Sequence, residues 1–230
     1  MENVSNPGLI GILFVLLGVL GIVPFFRLSQ IFEYPDILRQ PTGDILRKYH
    51  EGGSGLTVTW CLFALFAAPL FALAPLLQDG FVANGIDMTF ATIATVIAII
   101  GAVFNIIGLI RWVFVVPLLV RKYVDPDTGQ TVREAIEVVF EAFHTYLGVT
   151  VGEFLGFSFL GLWGIMVGLA IIQTEIVSSI FGYAAVLFSV GVLVGDLEFA
   201  GWKPAGLVVA ISSSLFMLWA IVVGVVFIIG

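Results

Sequence analysis

The sequence has little charge, one cysteine and no excess of basic residues. Only 11% of its 230 residues are charged and 60% are hydrophobic. Soluble domains carry about 25% charged residues, so this chain has too few polar side chains to coat a water-soluble globule. Nine basic residues against sixteen acidic ones exclude the basic face of a nucleic-acid-binding protein. Cys61 alone excludes an internal disulfide and a C-x-x-C motif. The composition predicts a polytopic protein embedded in the lipid bilayer.

Six stretches contain no Asp, Glu, Lys or Arg, and each is long enough to cross a membrane. They cover residues 3–26, 52–78, 88–110, 154–174, 176–195 and 204–230. About 20 apolar residues span the hydrocarbon core, and lipid offers no partner for unpaired backbone groups, so the spans must be helices. We predict an all-α fold in which residues 1–230 form one domain, a bundle of six transmembrane helices. The predicted spans are about 6–26, 55–78, 88–111, 145–173, 176–195 and 205–229.

The basic residues predict an orientation. Eight of the nine lie in the connections between spans 1 and 2, spans 3 and 4, and spans 5 and 6, while the ninth is Arg111. The positive-inside rule assigns these three connections to the cytoplasm. We therefore expect a protein of the inner membrane with both termini extracytoplasmic.

The connection before span 2 carries an amphipathic pattern. Ile45, Leu46 and Tyr49 share one helical face within residues 36–50, which predicts a short interfacial helix. The glycine-rich stretch 52–55 that follows is expected to act as a flexible hinge.

Arg111 and Glu153 interrupt long apolar stretches and are the strongest candidates for an intramembrane site. An ionisable residue at bilayer depth is costly and usually faces the bundle interior with a partner. Spans 3 and 4 are consecutive and antiparallel, and both charges lie 22 to 24 residues from the outer ends of their spans. They would form a structural ion pair or a ligand or ion site, unless Arg111 snorkels to the inner interface; the structural role is favoured. Asn105 does not share the Arg111 face, so we expect it to make a polar contact between helices.

A second cluster opens span 4. Glu134, Glu137, Glu141 and His144 lie on one helical face, and Glu141-x-x-His144 has the spacing of carboxylate-bridged di-metal sites. Such a site needs further ligands from facing helices, and the only other histidine is His50. A solvated acidic face is therefore favoured over a metal site.

Three glycines follow on the same helix at four-residue spacing, namely Gly148, Gly152 and Gly156. Small residues at this spacing let helices approach closely in lipid. We predict that span 4 is the central packing helix.

The stretches 140–170 and 195–226 carry a pattern of glycine and aromatic residues. It consists of Tyr146, Gly148, Gly152, Glu153, Gly161, Leu162 and Trp163, with Leu218 and Trp219 in the last span. These features resemble a prokaryotic multi-pass family, domain of unknown function 4386. The resemblance implies a helical inner-membrane protein and supplies no activity. The chain departs from the commoner family pattern before span 5, where Gln173-Thr174-Glu175 replaces a basic Pro-Arg-Trp segment.

Three functional hypotheses remain open. The short loops and the lack of a complete catalytic set favour a non-enzymatic membrane component, an accessory or assembly subunit or a sensor, without a cofactor. Such a component would form a homo-oligomer or bind a membrane partner. The alternative is a small permease or channel with a polar site at Arg111 and Glu153. A membrane-embedded metalloenzyme at Glu141 and His144 comes third.

Overall fold

The computed structural model describes residues 4–230, and all regular structure in that part of the chain is helical. The all-α prediction is therefore confirmed. The α-helices are α1 Pro7–Phe32, α2 Thr42–Ala64, α3 Leu70–Ala83, α4 Met88–Tyr123, α5 Gln130–Phe143, α6 Gly156–Thr174, α7 Ser179–Gly195 and α8 Ala205–Ile229. A π-helical segment, His144–Leu155, joins α5 to α6, so that these elements form one continuous rod over Gln130–Thr174. Short 3-10 helices cover Asp36–Arg39 and Asp196–Glu198.

Five helical units within residues 4–230 are long and apolar enough to cross a membrane. They are α1, α4, the rod, α7 with its 3-10 extension, and α8. Large apolar side chains such as Phe114 and Leu187 are exposed on their outer faces, and a surface so rich in apolar groups is suited to lipid rather than water. The protein is a multi-pass integral membrane protein. The count of six crossings and the location of each terminus stay predictions.

Two shorter helices occupy the stretch 55–78 that the sequence suggested as one span. α2 ends at Ala64, turns cover residues 65–69, and α3 begins at Leu70. Pro69 accounts for the break, because its ring lacks an N–H and would clash with the carbonyl group of Leu65, four residues earlier. The 14 residues of α3 rise only about 21 Å, which is shorter than the hydrocarbon core.

A glycine also divides α2. Gly53 has φ 56° and ψ −151°, a conformation that is open to glycine and strained for other residues. The part of α2 before this kink buries Ile45, Leu46 and Tyr49. The predicted amphipathic helix is thus confirmed, and a kink lies within the glycine-rich stretch 52–55. The flexibility of this stretch and the interfacial position of the helix stay predictions.

Close contacts at glycine bring neighbouring helices together. α1 packs on α8, where a Cβ atom at Gly11 would lie 2.5 Å from the carbonyl oxygen of Gly224. α6 packs on α7, where a Cβ atom at Gly168 would lie 2.7 Å from the carbonyl oxygen of Gly182. Any side chain would force these helices apart, so the glycines set the interhelical distance.

Polar connections meet at one end of the bundle. The Thr42 hydroxyl donates to the Glu141 carboxylate at 3.1 Å, and the Tyr123 hydroxyl donates to Glu137 at 2.6 Å. The first bond joins the start of α2 to α5, and the second joins the end of α4 to α5. The basic residues predict a cytoplasmic position for the α1–α2 and α4–α5 connections.

Candidate functional site

Arg111 lies in the interior of the bundle. Its side chain is 3% exposed, so it does not snorkel to the surface. One terminal nitrogen donates to the carbonyl oxygen of Gly108, and the other lies 3.3 Å from Nδ1 of His144. The guanidinium carbon lies 5.2 Å from the centroid of the Trp112 ring, within the range of a cation–π contact. The Nε atom is buried without a hydrogen-bond partner.

Glycines of the rod make room for this side chain. A Cβ atom at Gly148 would overlap the Arg111 guanidinium group. Since the rod and α4 run antiparallel, each of the three glycines predicted to pack faces one position of α4. The pairs are Gly148 with Arg111, Gly152 with Gly108, and Gly156 with Asn105. The glycine pattern therefore shapes the space around Arg111 as well as the contact between two helices.

Asn105 lies one turn further along the same contact. It is 2% exposed, and its amide nitrogen donates to the carbonyl oxygen of Gly101 within α4 at 2.9 Å. A Cβ atom at Gly156 would lie 2.5 Å from that nitrogen. The Asn105 side chain thus packs on the rod, while its hydrogen bond stays within its own helix.

The π-helical segment carries Glu153 and places it near Arg111. A π-helix bonds residue i to residue i+5; it occurs mostly as a single turn inside an α-helix and is frequent at functional sites. Here it extends over 12 residues, and the Thr150 hydroxyl follows the same five-residue spacing by donating to the Thr145 carbonyl oxygen at 3.1 Å. The four-residue glycine spacing reveals the packing face, but nothing in the sequence pointed to the wider helix.

A cavity of about 160 Å³ lies between α1, α2, α4, the π-helical segment and α8. Arg111, Glu153 and Asn105 all line it. Its other polar lining residues are Tyr34, Arg39, Glu198, Ser213 and Ser214. Aromatic rings form part of the wall, including the stacked pair Trp60 and Trp112, whose centroids are 4.5 Å apart. The site combines opposite charges with a largely aromatic wall.

Arg111 and Glu153 do not form a direct ion pair. The ion pairs within 4.0 Å in the described part of the chain join Arg39 to Asp36 and Glu198, Arg47 to Asp44, and Lys48 to Glu33. Glu153 is half-buried and accepts no hydrogen bond among those found within residues 4–230. The two opposite charges face one cavity without contacting each other.

An ion pair lies where the cavity reaches the surface. Arg39 and Glu198 approach to 2.7 Å, and their side chains are 59% and 34% exposed. Both line the cavity, so its mouth opens beside them. Burial, and secondarily the nearby Glu153 carboxylate, raise the pKa of Tyr34. The Tyr34 hydroxyl therefore remains a protonated donor at the lining of the cavity.

Glu141 and His144 engage different partners. Glu141 accepts the hydrogen bond from Thr42, whereas His144 contacts Arg111 and stacks on Phe140 at a centroid distance of 5.6 Å. Within residues 4–230 no group of three or more His, Cys, Asp or Glu side chains could hold a metal ion. The structure thus gives the proposed metal pair no additional ligands.

Arg39, Glu198 and Tyr34 are the lining residues that sequence reasoning missed. Arg39 and Glu198 are 159 positions apart, and each lies in a connection where a charge is unremarkable. A charged residue inside a span stands out from the apolar sequence around it. Nothing in the sequence near either of two loop charges shows that they contact each other in the folded bundle.

Comparison with known proteins gives one match. The model of the family described as Domain of unknown function (DUF4386) matches residues 9–229. No curated protein and no solved structure gives a significant match. The family match covers nearly the whole helical bundle, and this chain belongs to the DUF4386 family of domains of unknown function.

Proposed function

We propose that the protein is a small permease that binds a polar solute in its central cavity. The observation that carries this proposal is that Arg111 and Glu153 line one cavity without pairing. Opposite charges inside a membrane protein are costly unless they pair or serve a solute pathway. A solute or water in the cavity would offer polar partners to the Arg111 guanidinium group and to the Glu153 carboxylate, both of which line it.

The cavity volume limits the size of the solute. A cavity of about 150 Å³ holds one benzene molecule, and a water molecule occupies about 30 Å³ in the liquid. The 160 Å³ cavity therefore accommodates a solute of about this size, with its outer part reaching the mouth, or a small cluster of water molecules.

In the proposed arrangement the cavity opens toward the cytoplasm, and six crossings place both termini outside. The Arg39–Glu198 pair supports this, because it joins two connections for which the basic residues predict the same side. The metalloenzyme hypothesis gains no such support. The accessory-subunit and sensor hypotheses are distinguished from a permease by the uptake assay below.

Uptake into proteoliposomes tests the proposal. We would measure the uptake of four radiolabelled solutes of similar size and different charge: L-valine, succinate, choline and erythritol. We expect at least one to enter ten times faster than into protein-free liposomes. That uptake should fall to background in Arg111→Gln and in Glu153→Gln, because each removes one of the cavity charges.

Arg121→Gln and Glu175→Gln are matched controls. Arg121 lies in the same helix as Arg111, and Glu175 directly follows the rod that carries Glu153; both are exposed and outside the cavity lining. Both controls should retain uptake. Absence of uptake for all four solutes would overturn the permease and favour an accessory subunit. Full uptake in both cavity variants would overturn the role of Arg111 and Glu153 in transport. Retained solute binding without uptake would favour a sensor.

A further inference from the structure

The charges around the cavity balance. Arg39 and Arg111 line it together with Glu153 and Glu198. The pair at the mouth, Arg39 and Glu198, is closed at 2.7 Å. The inner charges, Arg111 and Glu153, line the cavity without an ionic partner within residues 4–230.

A solute with a single charge satisfies only one of the inner charges. An anion would pair with Arg111 but would face the Glu153 carboxylate, and a cation would pair with Glu153 but would face Arg111. In either case one charge inside the bundle keeps no ionic partner, which is unfavourable away from water. A neutral solute leaves both charges without an ionic partner.

The guanidinium group is fixed in place before a solute arrives. It is held by the Gly108 carbonyl oxygen and the His144 ring, and it lies over Trp112. A planar guanidinium group matches the geometry of a carboxylate. Such preorganisation favours binding because little side-chain freedom is lost.

Much of the cavity wall is apolar. Trp60, Phe63 and Leu109 line the cavity beside Arg111, so the uncharged part of a bound solute would contact aromatic and aliphatic side chains. Burial of an aliphatic group against such a wall is favourable in proportion to its apolar area.

From these observations we infer that the solute is a small zwitterion, a molecule of the amino-acid class with a carboxylate, an ammonium group and a short apolar side chain. Its carboxylate is bound by Arg111 and its ammonium group by Glu153. This inference rests on the proposed solute-binding function of the cavity and specifies the chemistry of its ligand.

Three probes that differ only in their charged groups test the inference. L-valine carries both groups, 3-methylbutanoate lacks the ammonium group, and isobutylamine lacks the carboxylate. We would titrate each into the full-length protein in nanodiscs of phosphatidylethanolamine and phosphatidylglycerol. Tryptophan fluorescence reports binding, because Trp60 and Trp112 line the cavity. We expect L-valine to bind at least tenfold more tightly than either analogue.

Two variants assign the charges. Glu153→Gln should abolish the preference of L-valine over 3-methylbutanoate, whereas Arg111→Gln should abolish its preference over isobutylamine. Glu175→Gln and Arg121→Gln should keep both preferences. The ranking of the three probes on the unmodified protein stands even where a variant fails to fold.

The outcomes separate the two proposals. Tighter binding of 3-methylbutanoate or isobutylamine than of L-valine would overturn the inference that the solute is a zwitterion. The proposal that the cavity binds a solute would stand. Uptake of succinate, choline or erythritol without uptake of L-valine would overturn the zwitterion inference in the same way. If no probe binds and none of the four solutes enters, the proposed permease function and the inferred zwitterionic solute are both contradicted.

Discussion

The bundle has two halves whose interiors are packed differently. The apolar half is the cluster around Phe14, Leu70, Ala98, Trp163 and Val223, which joins parts of α1, α3, α4, α6 and α8. The cavity half is the cluster around Phe32, Tyr49, Trp60, Trp112 and Phe140. The apolar half packs by close contact between helices at glycine. The cavity half packs aromatic rings around Arg111 and leaves an open space beside them.

The contrast separates two uses of glycine. Gly168 faces the backbone of α7 and allows two helices to approach. Gly148 faces the Arg111 guanidinium group and makes room for a charge. Glycine therefore serves helix packing at Gly168 and at Gly152, which both face backbone atoms of a neighbouring helix, and it serves the geometry of the site at Gly148.

Replacing Gly148 by alanine gives the largest expected effect on the affinity for L-valine. In Gly148→Ala the new methyl group would occupy space taken by the Arg111 guanidinium group, which displaces it from the cavity wall. We expect the affinity for L-valine to fall more than tenfold, as measured by fluorescence titration in nanodiscs.

Gly168→Ala is the matched variant in the apolar half. Its methyl group would lie 2.7 Å from the Gly182 carbonyl oxygen, and overpacking of this kind typically costs about 1–3 kcal/mol. We expect a lower thermal midpoint with unchanged affinity for L-valine. An equal loss of affinity in both variants would show that the two halves do not act separately. At Gly55 an added Cβ atom would meet nothing within 4 Å. Gly55→Ala should therefore retain the thermal midpoint and the affinity for L-valine of the unmodified protein.

The ion pair at the mouth gives a smaller expected effect. Arg39→Gln removes the 2.7 Å contact with Glu198, and exposed ion pairs contribute about 0–1 kcal/mol. The thermal midpoint should therefore stay nearly constant. The initial rate of L-valine uptake should rise about twofold, because the two connections at the mouth are no longer tied together.

Arg47→Gln is the control for this change. It removes a pair of the same length and similar exposure, Arg47–Asp44 at 2.7 Å, whose members do not line the cavity. Uptake should be unaffected. A rise of the same size in both variants would show that the effect is general to the charge of this surface.

The helical architecture could be predicted because lipid imposes it. Long charge-free stretches must form helices in lipid, because a helix pairs all its backbone polar groups within the segment. The general positions of the helices follow from where the charges lie. The break at Pro69 was harder to anticipate, because membrane helices tolerate proline, and Pro24 and Pro117 lie inside intact helices. Whether a proline ends a helix depends on what its neighbours pack against.

Candidate site residues could be predicted only where they violate the apolar pattern. Arg111 and Glu153 stand out for that reason, while Arg39 and Glu198 come together through tertiary structure. The direct Arg111–Glu153 pair that antiparallel geometry allowed is not formed, since depth along a helix does not specify side-chain direction. The π-helical segment was equally beyond prediction, because no pattern in its sequence distinguishes it from an α-helix.

A solute can reach Arg111 and Glu153 only if the cavity is accessible from water, and cysteine modification measures that accessibility. With Cys61→Ser as background, Ser214→Cys places a thiol on the polar cavity, and Ser189→Cys places one in the apolar half, where Ser189 is 1% exposed. Nanodiscs leave both membrane faces open to the anionic reagent 2-sulfonatoethyl methanethiosulfonate. The account predicts modification at position 214 at least ten times faster than at position 189. Equal, slow modification at both positions would contradict it, because the charges of the cavity half would then be sealed from solutes.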